Sequence, residues 1–125
     1  MIEITVFRDR EGRITGFRAV GHSGWAQRGS DIVCAGVAAL TQTAVMGLVH
    51  HLGVHVHTEA GDGLLACRLP EGDGDDEGPV GDRAVQAVLG TMVLGLREIV
   101  RQYPRHVSLA ERREGRREEK GGAER

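Results

Sequence analysis

The sequence is poor in aromatic residues, cysteine and proline. Aromatic side chains make up 3% of the 125 residues, and there are two cysteines and three prolines. Aliphatic side chains and alanine must therefore fill the core, and a disulfide framework is excluded. No segment reads as a signal peptide or as an apolar run of about 18 residues. We therefore expect a cytoplasmic protein with reduced thiols and no membrane association.

The sequence also lacks a basic excess. Its formal net charge is -2, and domains that bind nucleic acid in general are usually basic, so we expect no direct nucleic-acid binding. The length fits one domain, which we place at residues 1–110. Residues 111–125 hold six basic and five acidic residues with almost nothing apolar, so they are predicted to be a disordered tail.

Hydrophobic periodicity predicts an α+β fold of order ββαββα. Two helices would pack on one face of a mostly antiparallel sheet. The predicted strands are 2–7, 13–20, 54–58 and 64–69, with a possible last short strand at 106–109. The predicted helices are 30–52, capped by Ser30 or Asp31, and 81–103. Gly90 and Gly95 lower the helix propensity of the second helix, so we expect another backbone close to them: the first helix or a second subunit.

Cys34 and His22 form the pattern that points to chemistry. A thiol attacks a carbonyl as the thiolate, so a nucleophilic cysteine needs a lowered pKa or a nearby base. Cys34 falls three or four residues inside the predicted helix start, where unpaired N–H groups favour an anion and can hold an oxyanion. His22 lies in a glycine-bearing loop that can fold back over this helix start, where a neutral imidazole can accept the thiol proton.

The same residues have plainer interpretations. A cysteine in a helix of small residues is usually a buried hydrophobic group. Asp31 either orients His22 or only caps the helix, and Trp25 either closes over a peptide or is an exposed loop residue. Cys67 alternates with Leu65 and Leu69 and is predicted to be core.

Two further clusters predict no metal site. The four histidines of the middle region lack a cysteine or carboxylate beside them and are best explained as a solvated surface: His50, His51, His55 and His57. The acidic loop begins like a calcium loop at Asp73, but Ala84 stands where the twelfth ligand would be glutamate. We expect neither metal nor cofactor.

A resemblance to a known family covers these residues. The run Gly21-His22-Ser23-Gly24-Trp25-Ala26, then Gly29, then Asp31-Ile32-Val33-Cys34-Ala35-Gly36-Val37 resembles the signature of the ribosomal-processing cysteine protease family, Prp. The resemblance implies that Cys34 is the nucleophile, that His22 is the general base, and that Asp31 has an orienting or capping role. It assigns the substrate-binding residues Gly21, Ser23, Gly24, Trp25, Gly29 and Ala38. The family usually carries a serine where this chain has Ala38, so any contact made by that hydroxyl is absent here.

The resemblance also implies a substrate and an assembly. Members are cysteine endopeptidases that remove a short N-terminal extension from a large-subunit ribosomal protein, the twenty-seventh, and they are typically homodimers. The expected partners are therefore this precursor protein and a second copy of the chain. The alternative is a non-catalytic ribosome-assembly binding module of the same fold.

Overall fold

A computed structural model describes residues 1–21 and 28–114 of the chain, with the side chains of residues 28–31 outside that description. Five strands form one sheet: β1 (Ile2–Arg8), β2 (Ile14–Val20), β3 (His57–Gly61), β4 (Leu64–Arg68) and β5 (Val107–Arg113). The two long helices are α1 (Arg28–Met46), which continues into a π-helical turn at Gly47–His51, and α2 (Arg83–Gln102). A short 3-10 turn at Gly78–Gly81 precedes α2.

The order of the strands across the sheet is β3-β4-β2-β1-β5. The first four strands in this order pair antiparallel, and β5 pairs parallel to β1. The predicted α+β fold with a mostly antiparallel sheet and two helices is confirmed. The chain adds a full fifth strand, so the element order is ββαββαβ.

Both helices pack on the sheet face that carries Ile2, Ile4 and Val6. Alternate residues of a strand share a face, and these three are nearly inaccessible to solvent. Buried residues recur every three or four positions along α1 and into the π-helical turn that follows it: Val33, Val37, Thr41, Ala44 and Leu48. The same spacing in α2 buries Val85, Leu89, Met92, Val93 and Leu96. One continuous apolar core between two layers follows from this patterning.

The two helices run antiparallel and touch closely. A Cβ added at Gly36 of α1 would lie 3.2 Å from Cδ1 of Ile99, and one at Gly95 of α2 would lie 2.9 Å from Cδ1 of Leu40. The neighbour that Gly95 makes room for is therefore the first helix. Gly90 does not face the first helix, because an added Cβ there meets nothing within 4 Å in the described part of the chain, and a second subunit as its neighbour stays a prediction.

Several predicted boundaries are corrected. The third strand lies at His57–Gly61 and not at residues 54–58. Val54 alternates with Val56, but the N–H of Val54 donates to the carbonyl of Leu48 at 2.8 Å, so this stretch packs on the end of the helix instead of pairing in the sheet. The strand begins only where pairing with β4 starts.

The predicted tail also begins too early. The last strand runs through Arg113 because it pairs with β1 along its whole length. Its charged residue Glu111 faces the helix side and forms ion pairs with Arg8 (2.9 Å) and Arg97, so charge is compatible with an edge strand here. Residues 115–125 of the predicted tail lie outside the described residues.

One segment contradicts the expectation that the sequence has no long apolar run. The 20-residue segment Ile32–His51 contains an 18-residue window with a mean hydropathy of 1.9, enough by length and composition to cross a membrane. Within the described residues, however, one side of this segment supplies Val33, Val37 and Leu48 to the sheet-packed core. We read it as a core helix whose outer side is also apolar, with Ile32 61% and Met46 53% exposed.

Candidate active site

The structure places three of the predicted site residues, Cys34, Ala38 and Gly21. Cys34 and Ala38 lie on α1, one turn apart, and both are half-buried. The loop residues His22, Ser23, Gly24 and Trp25 lie outside the described residues. Gly29 and Asp31 fall within α1, and the Asp31 side chain lies outside the description.

The helix start differs from the prediction. α1 begins at Arg28, so neither Ser30 nor Asp31 is the N-cap residue, and Cys34 lies six residues after the first helical residue. Unpaired N–H groups occur only in the first turn of a helix, and the macrodipole acts mainly there. Cys34 is therefore inside the backbone hydrogen-bond ladder. Its N–H is not an oxyanion donor, and activation of the thiol depends on a base and not on the helix start.

The side of α1 that carries Cys34 faces away from α2. An α-helix turns by about 100° per residue, so Cys34 and Ala38 each lie about 200° around the helix from Gly36. Gly36 faces Ile99 of α2. The second helix packs against β5 and β2, on one half of the sheet. Cys34 therefore borders the core on the side of α1 that is turned away from α2.

Cys34 also lies near the end of the sheet at which β1 and β5 begin. Because the helices are antiparallel, the start of α1 lies beside the end of α2, which leads directly into β5. The beginning of β5 is joined to the beginning of β1, where the N–H of Ile2 donates to the carbonyl of His106 at 2.9 Å. β1 and β2 are antiparallel, with Glu3 opposite Val20, so the second strand ends here. Cys34 and the root of the His22 loop thus share one end of the sheet.

Gly21 anchors the root of that loop. Its φ of +114° is disfavoured for any residue with a side chain. Its N–H donates to the carbonyl of Gly63 in the β3–β4 turn at 2.8 Å, and an added Cβ would lie 2.3 Å from the carbonyl oxygen of Met1. The backbone at position 21 is therefore held between the first strand and the β3–β4 turn. This contact gives Gly21 a reason to be glycine that differs from the substrate contact implied by the resemblance.

The two cysteines have different environments, and neither is in a disulfide. Cys67 is only 2% exposed, and burial raises the pKa of its thiol from 9.0 to about 11. The prediction that Cys67 belongs to the core is confirmed. Cys34 is half-buried at the edge of the same core.

The described histidines are spread over separate elements. His50 and His51 lie in the π-helical turn after α1, and His57 opens β3. All three are exposed. Among residues 1–21 and 28–114, no three His, Cys, Asp or Glu side chains come together in a way that could hold a metal ion.

Comparison with known proteins identifies the family. The sequence profile described as "Cysteine protease Prp" matches residues 1–108. The chain belongs to the Prp cysteine protease family. It is 30% identical over 105 residues to the ribosomal processing cysteine protease Prp of Bacillus subtilis (strain 168), a match that spans 82% of this chain and 90% of that protein.

Two solved Prp structures share the fold. The essential ribosomal processing protease Prp from S. aureus, with a covalently linked product peptide, superposes with a TM-score of 0.76 at 24% identity, over 90% of this chain and 100% of that chain. The same protease with a substrate peptide gives a TM-score of 0.77 at 23% identity, over the same shares of each chain. The chain is thus a cysteine protease of the Prp family, with the fold of these structures.

Sequence reasoning missed two features of this end of the molecule. The first is the contact of Gly21 with Gly63 and Met1, since the two partners lie far apart in sequence. The second is the exposed strand β3, because its predicted position was three residues too early. The turn residues Asp62 and Gly63, with Gly63 at φ +71°, are the signal that fixes this strand more accurately.

Proposed function

We propose that the chain is an endopeptidase that removes the N-terminal extension of a large-subunit ribosomal protein, the twenty-seventh. Membership of the Prp family carries this proposal, and the Bacillus subtilis relative is named for ribosomal processing. Cys34 is half-buried and lies at the same end of the sheet as Gly21, which supports its assignment as the nucleophile. The proposed setting is the cytoplasm, and no cofactor or nucleic acid is required.

The proposed chemistry is acyl transfer through a Cys/His dyad. His22 accepts the proton of the Cys34 thiol, and the thiolate attacks the carbonyl carbon of the scissile peptide bond. The tetrahedral intermediate collapses, the C–N bond breaks, and His22 returns the proton to the leaving amine. Water, deprotonated by His22, then hydrolyses the thioester and releases the acid product together with the Cys34 thiol.

The proposed homodimer has a candidate surface on α1. The outer side of this helix exposes Ile32, Met46 and Val49, whose exposed fractions are 61%, 53% and 36%. Large apolar side chains exposed along one helix often mark an interface. The dimer remains a prediction.

The decisive experiment follows cleavage of a peptide that spans the junction of the extension, by mass spectrometry. We expect Cys34→Ala and His22→Ala each to lower kcat/KM by about a thousandfold or more, because each removes a group of the covalent step. Cys67→Ala, which changes the buried thiol, is the matched control and should cleave at nearly the wild-type rate. Wild-type cleavage by Cys34→Ala would contradict the mechanism. Equal cleavage of a scrambled peptide would contradict the proposed substrate.

A further inference from the structure

We propose that the turn between β3 and β4 positions the base of the Cys/His dyad, acting through the backbone of Gly21. The inference rests on the proposed function, because it concerns His22, and it adds Gly63 as a positioning residue. The turn consists of Asp62 and Gly63, which lie between the last residue of β3 and the first residue of β4.

The contact that carries the proposal is a hydrogen bond between two backbone groups. The N–H of Gly21 donates to the carbonyl of Gly63 at 2.8 Å. Val20, the last residue of β2, pairs with Leu64, the first residue of β4. The bond therefore extends the antiparallel ladder by one residue beyond the two strands. The ladder ends on Gly21, and the next residue in the sequence is His22.

The geometry of the turn determines where the carbonyl of Gly63 points. Gly63 has a φ of +71°, in the left-handed region that favours glycine. Gly61 and Leu64 pair with each other on either side of the turn, so two residues reverse the chain. Turns of this length allow few backbone conformations. The acceptor for the Gly21 N–H is therefore placed by the hairpin itself.

Gly21 is confined on its other side as well, where an added Cβ would lie 2.3 Å from the carbonyl oxygen of Met1. Its backbone thus has a defined position between the start of the first strand and the β3–β4 turn. Because consecutive Cα atoms are about 3.8 Å apart, this position also sets the point from which His22 starts. A displacement of about 1 Å at a catalytic group can lower the rate by about a hundredfold.

The bond matters more for this position than for the fold. β4 is joined to β2 by five residue pairs, and it contributes the buried Cys67 to the core. The hairpin should therefore stay paired when one bond at its end is lost. A change at Gly63 is expected to lower the rate of the chemical step more than the stability of the protein, which distinguishes a positioning role from a structural one.

The test compares Gly63→Ala with a matched substitution, Gly53→Ala. The two glycines have nearly the same φ, +71° and +70°, so alanine introduces nearly the same backbone strain at each. Gly53 follows the π-helical turn after α1, and an added Cβ there meets nothing within 4 Å in the described part of the chain. Urea unfolding should show similar losses of stability in the two variants.

Cleavage of the junction peptide should separate the two variants. Gly63→Ala should lower kcat by about tenfold and leave KM within about threefold, because the base is displaced while the peptide still binds. Gly53→Ala should leave both constants within about twofold of the wild type. Gly63→Asn should recover most of kcat, since asparagine adopts the left-handed region more readily than alanine. An equal fall of kcat in Gly63→Ala and Gly53→Ala would overturn the proposal.

Amide hydrogen exchange, followed by NMR, tests the contact without using peptide cleavage. In Gly63→Ala, the N–H of Gly21 should exchange about tenfold faster than in the wild type, because its acceptor is displaced, whereas Gly53→Ala should leave this rate unchanged. Unchanged exchange in Gly63→Ala would contradict the proposal, and so would faster exchange with an unchanged kcat. Wild-type cleavage by His22→Ala would contradict the dyad and with it the role of the turn in catalysis, while the exchange rates would still show whether the turn holds Gly21.

Discussion

Cys34 and Cys67 belong to one hydrophobic core but differ in their burial and in the elements that surround them. Cys67 lies in the middle of the sheet, on a strand with neighbours on both sides, and it is 2% exposed. Cys34 lies on the helix layer, on the side of α1 with no second helix, and it is half-buried. The residue type is the same, and its position in the two layers decides how far the thiol is buried.

The difference also shows what reactivity requires here. Burial alone raises the pKa of the Cys67 thiol to about 11, which keeps it protonated and inert at neutral pH. Cys34 gains little from the helix start, because that start lies six residues earlier. The proposed activation of Cys34 therefore depends on His22, which directly follows the backbone anchor at Gly21 in the sequence.

Among the substitutions that leave Cys34 and His22 in place, the largest expected effect comes from breaking that anchor. Gly21→Ala places a Cβ within 2.3 Å of the Met1 carbonyl oxygen and requires a disfavoured positive φ, so the loop root must move. If Gly21 positions His22, kcat/KM for the junction peptide should fall by about a hundredfold or more. Gly61→Ala is the matched control, because Gly61 has open space around it.

The pH dependence of alkylation distinguishes a positioning role from a loss of stability. Gly21→Ala should slow iodoacetamide labelling of Cys34 at pH 7 and much less at pH 9.5, because hydroxide in alkaline solvent supplies the base that a displaced His22 would not. Equal slowing at both pH values, or unfolding of the variant, would assign Gly21 to the fold alone.

A smaller effect, on the pH dependence of stability, is expected from the buried cysteine, Cys67. In the unfolded chain the Cys67 thiol ionises around pH 9.0, whereas in the folded protein it stays protonated up to about pH 11. Its stabilising contribution is therefore complete below pH 9 and is lost as pH rises toward 11. This loss amounts to at most about 2.5 kcal/mol of the free energy of unfolding.

This pH-dependent loss of stability is measured by urea unfolding of the wild type and of Cys67→Ala between pH 7 and 11. The variant should be less stable at pH 7 by about 1–2 kcal/mol, because a small cavity replaces the sulfur, and this deficit should shrink as the pH rises. A constant deficit across the range would show that the buried thiol does not titrate with folding.

The sequence predicts the core-facing positions of the helices and strands better than it predicts where the outer strands begin and end. Periodicity finds the core stripe of α1 and the alternation of β1, because burial on one face repeats at the period of the element. It fails at residues 54–56, where Val54 and Val56 are half-buried against the core and the N–H of Val54 donates to the carbonyl of Leu48 instead of to a strand. It also fails at β5, whose charged residues join the sheet through backbone pairing and ion pairs that composition does not reveal.

For the site, the sequence motif predicts Cys34 as the nucleophile, but it does not predict the backbone contacts near it. The Gly21 anchor joins residues 1, 21 and 63, which meet because of the order of the strands in the sheet. The sequence contains no local signal for strand order.

The smallest expected effect concerns the helix pair that holds Cys34 in place. Gly90 and Gly95 both lie inside α2, where glycine costs about 1 kcal/mol relative to alanine. An added Cβ at Gly90 meets nothing, so Gly90→Ala should raise the free energy of unfolding by about 0.5–1 kcal/mol. At Gly95 it meets the end of Leu40 at 2.9 Å, so the gain in propensity is offset by the displacement of α1, and Gly95→Ala should be neutral or destabilising by about 1 kcal/mol.

Because Leu40 is six residues from Cys34 on the same helix, Gly95→Ala should also alter the rate of Cys34 alkylation, while Gly90→Ala should not. Both substitutions could instead raise the free energy of unfolding equally and leave the labelling rate unchanged. That result would show that the contact between Gly95 and Leu40 is not tight and does not position Cys34.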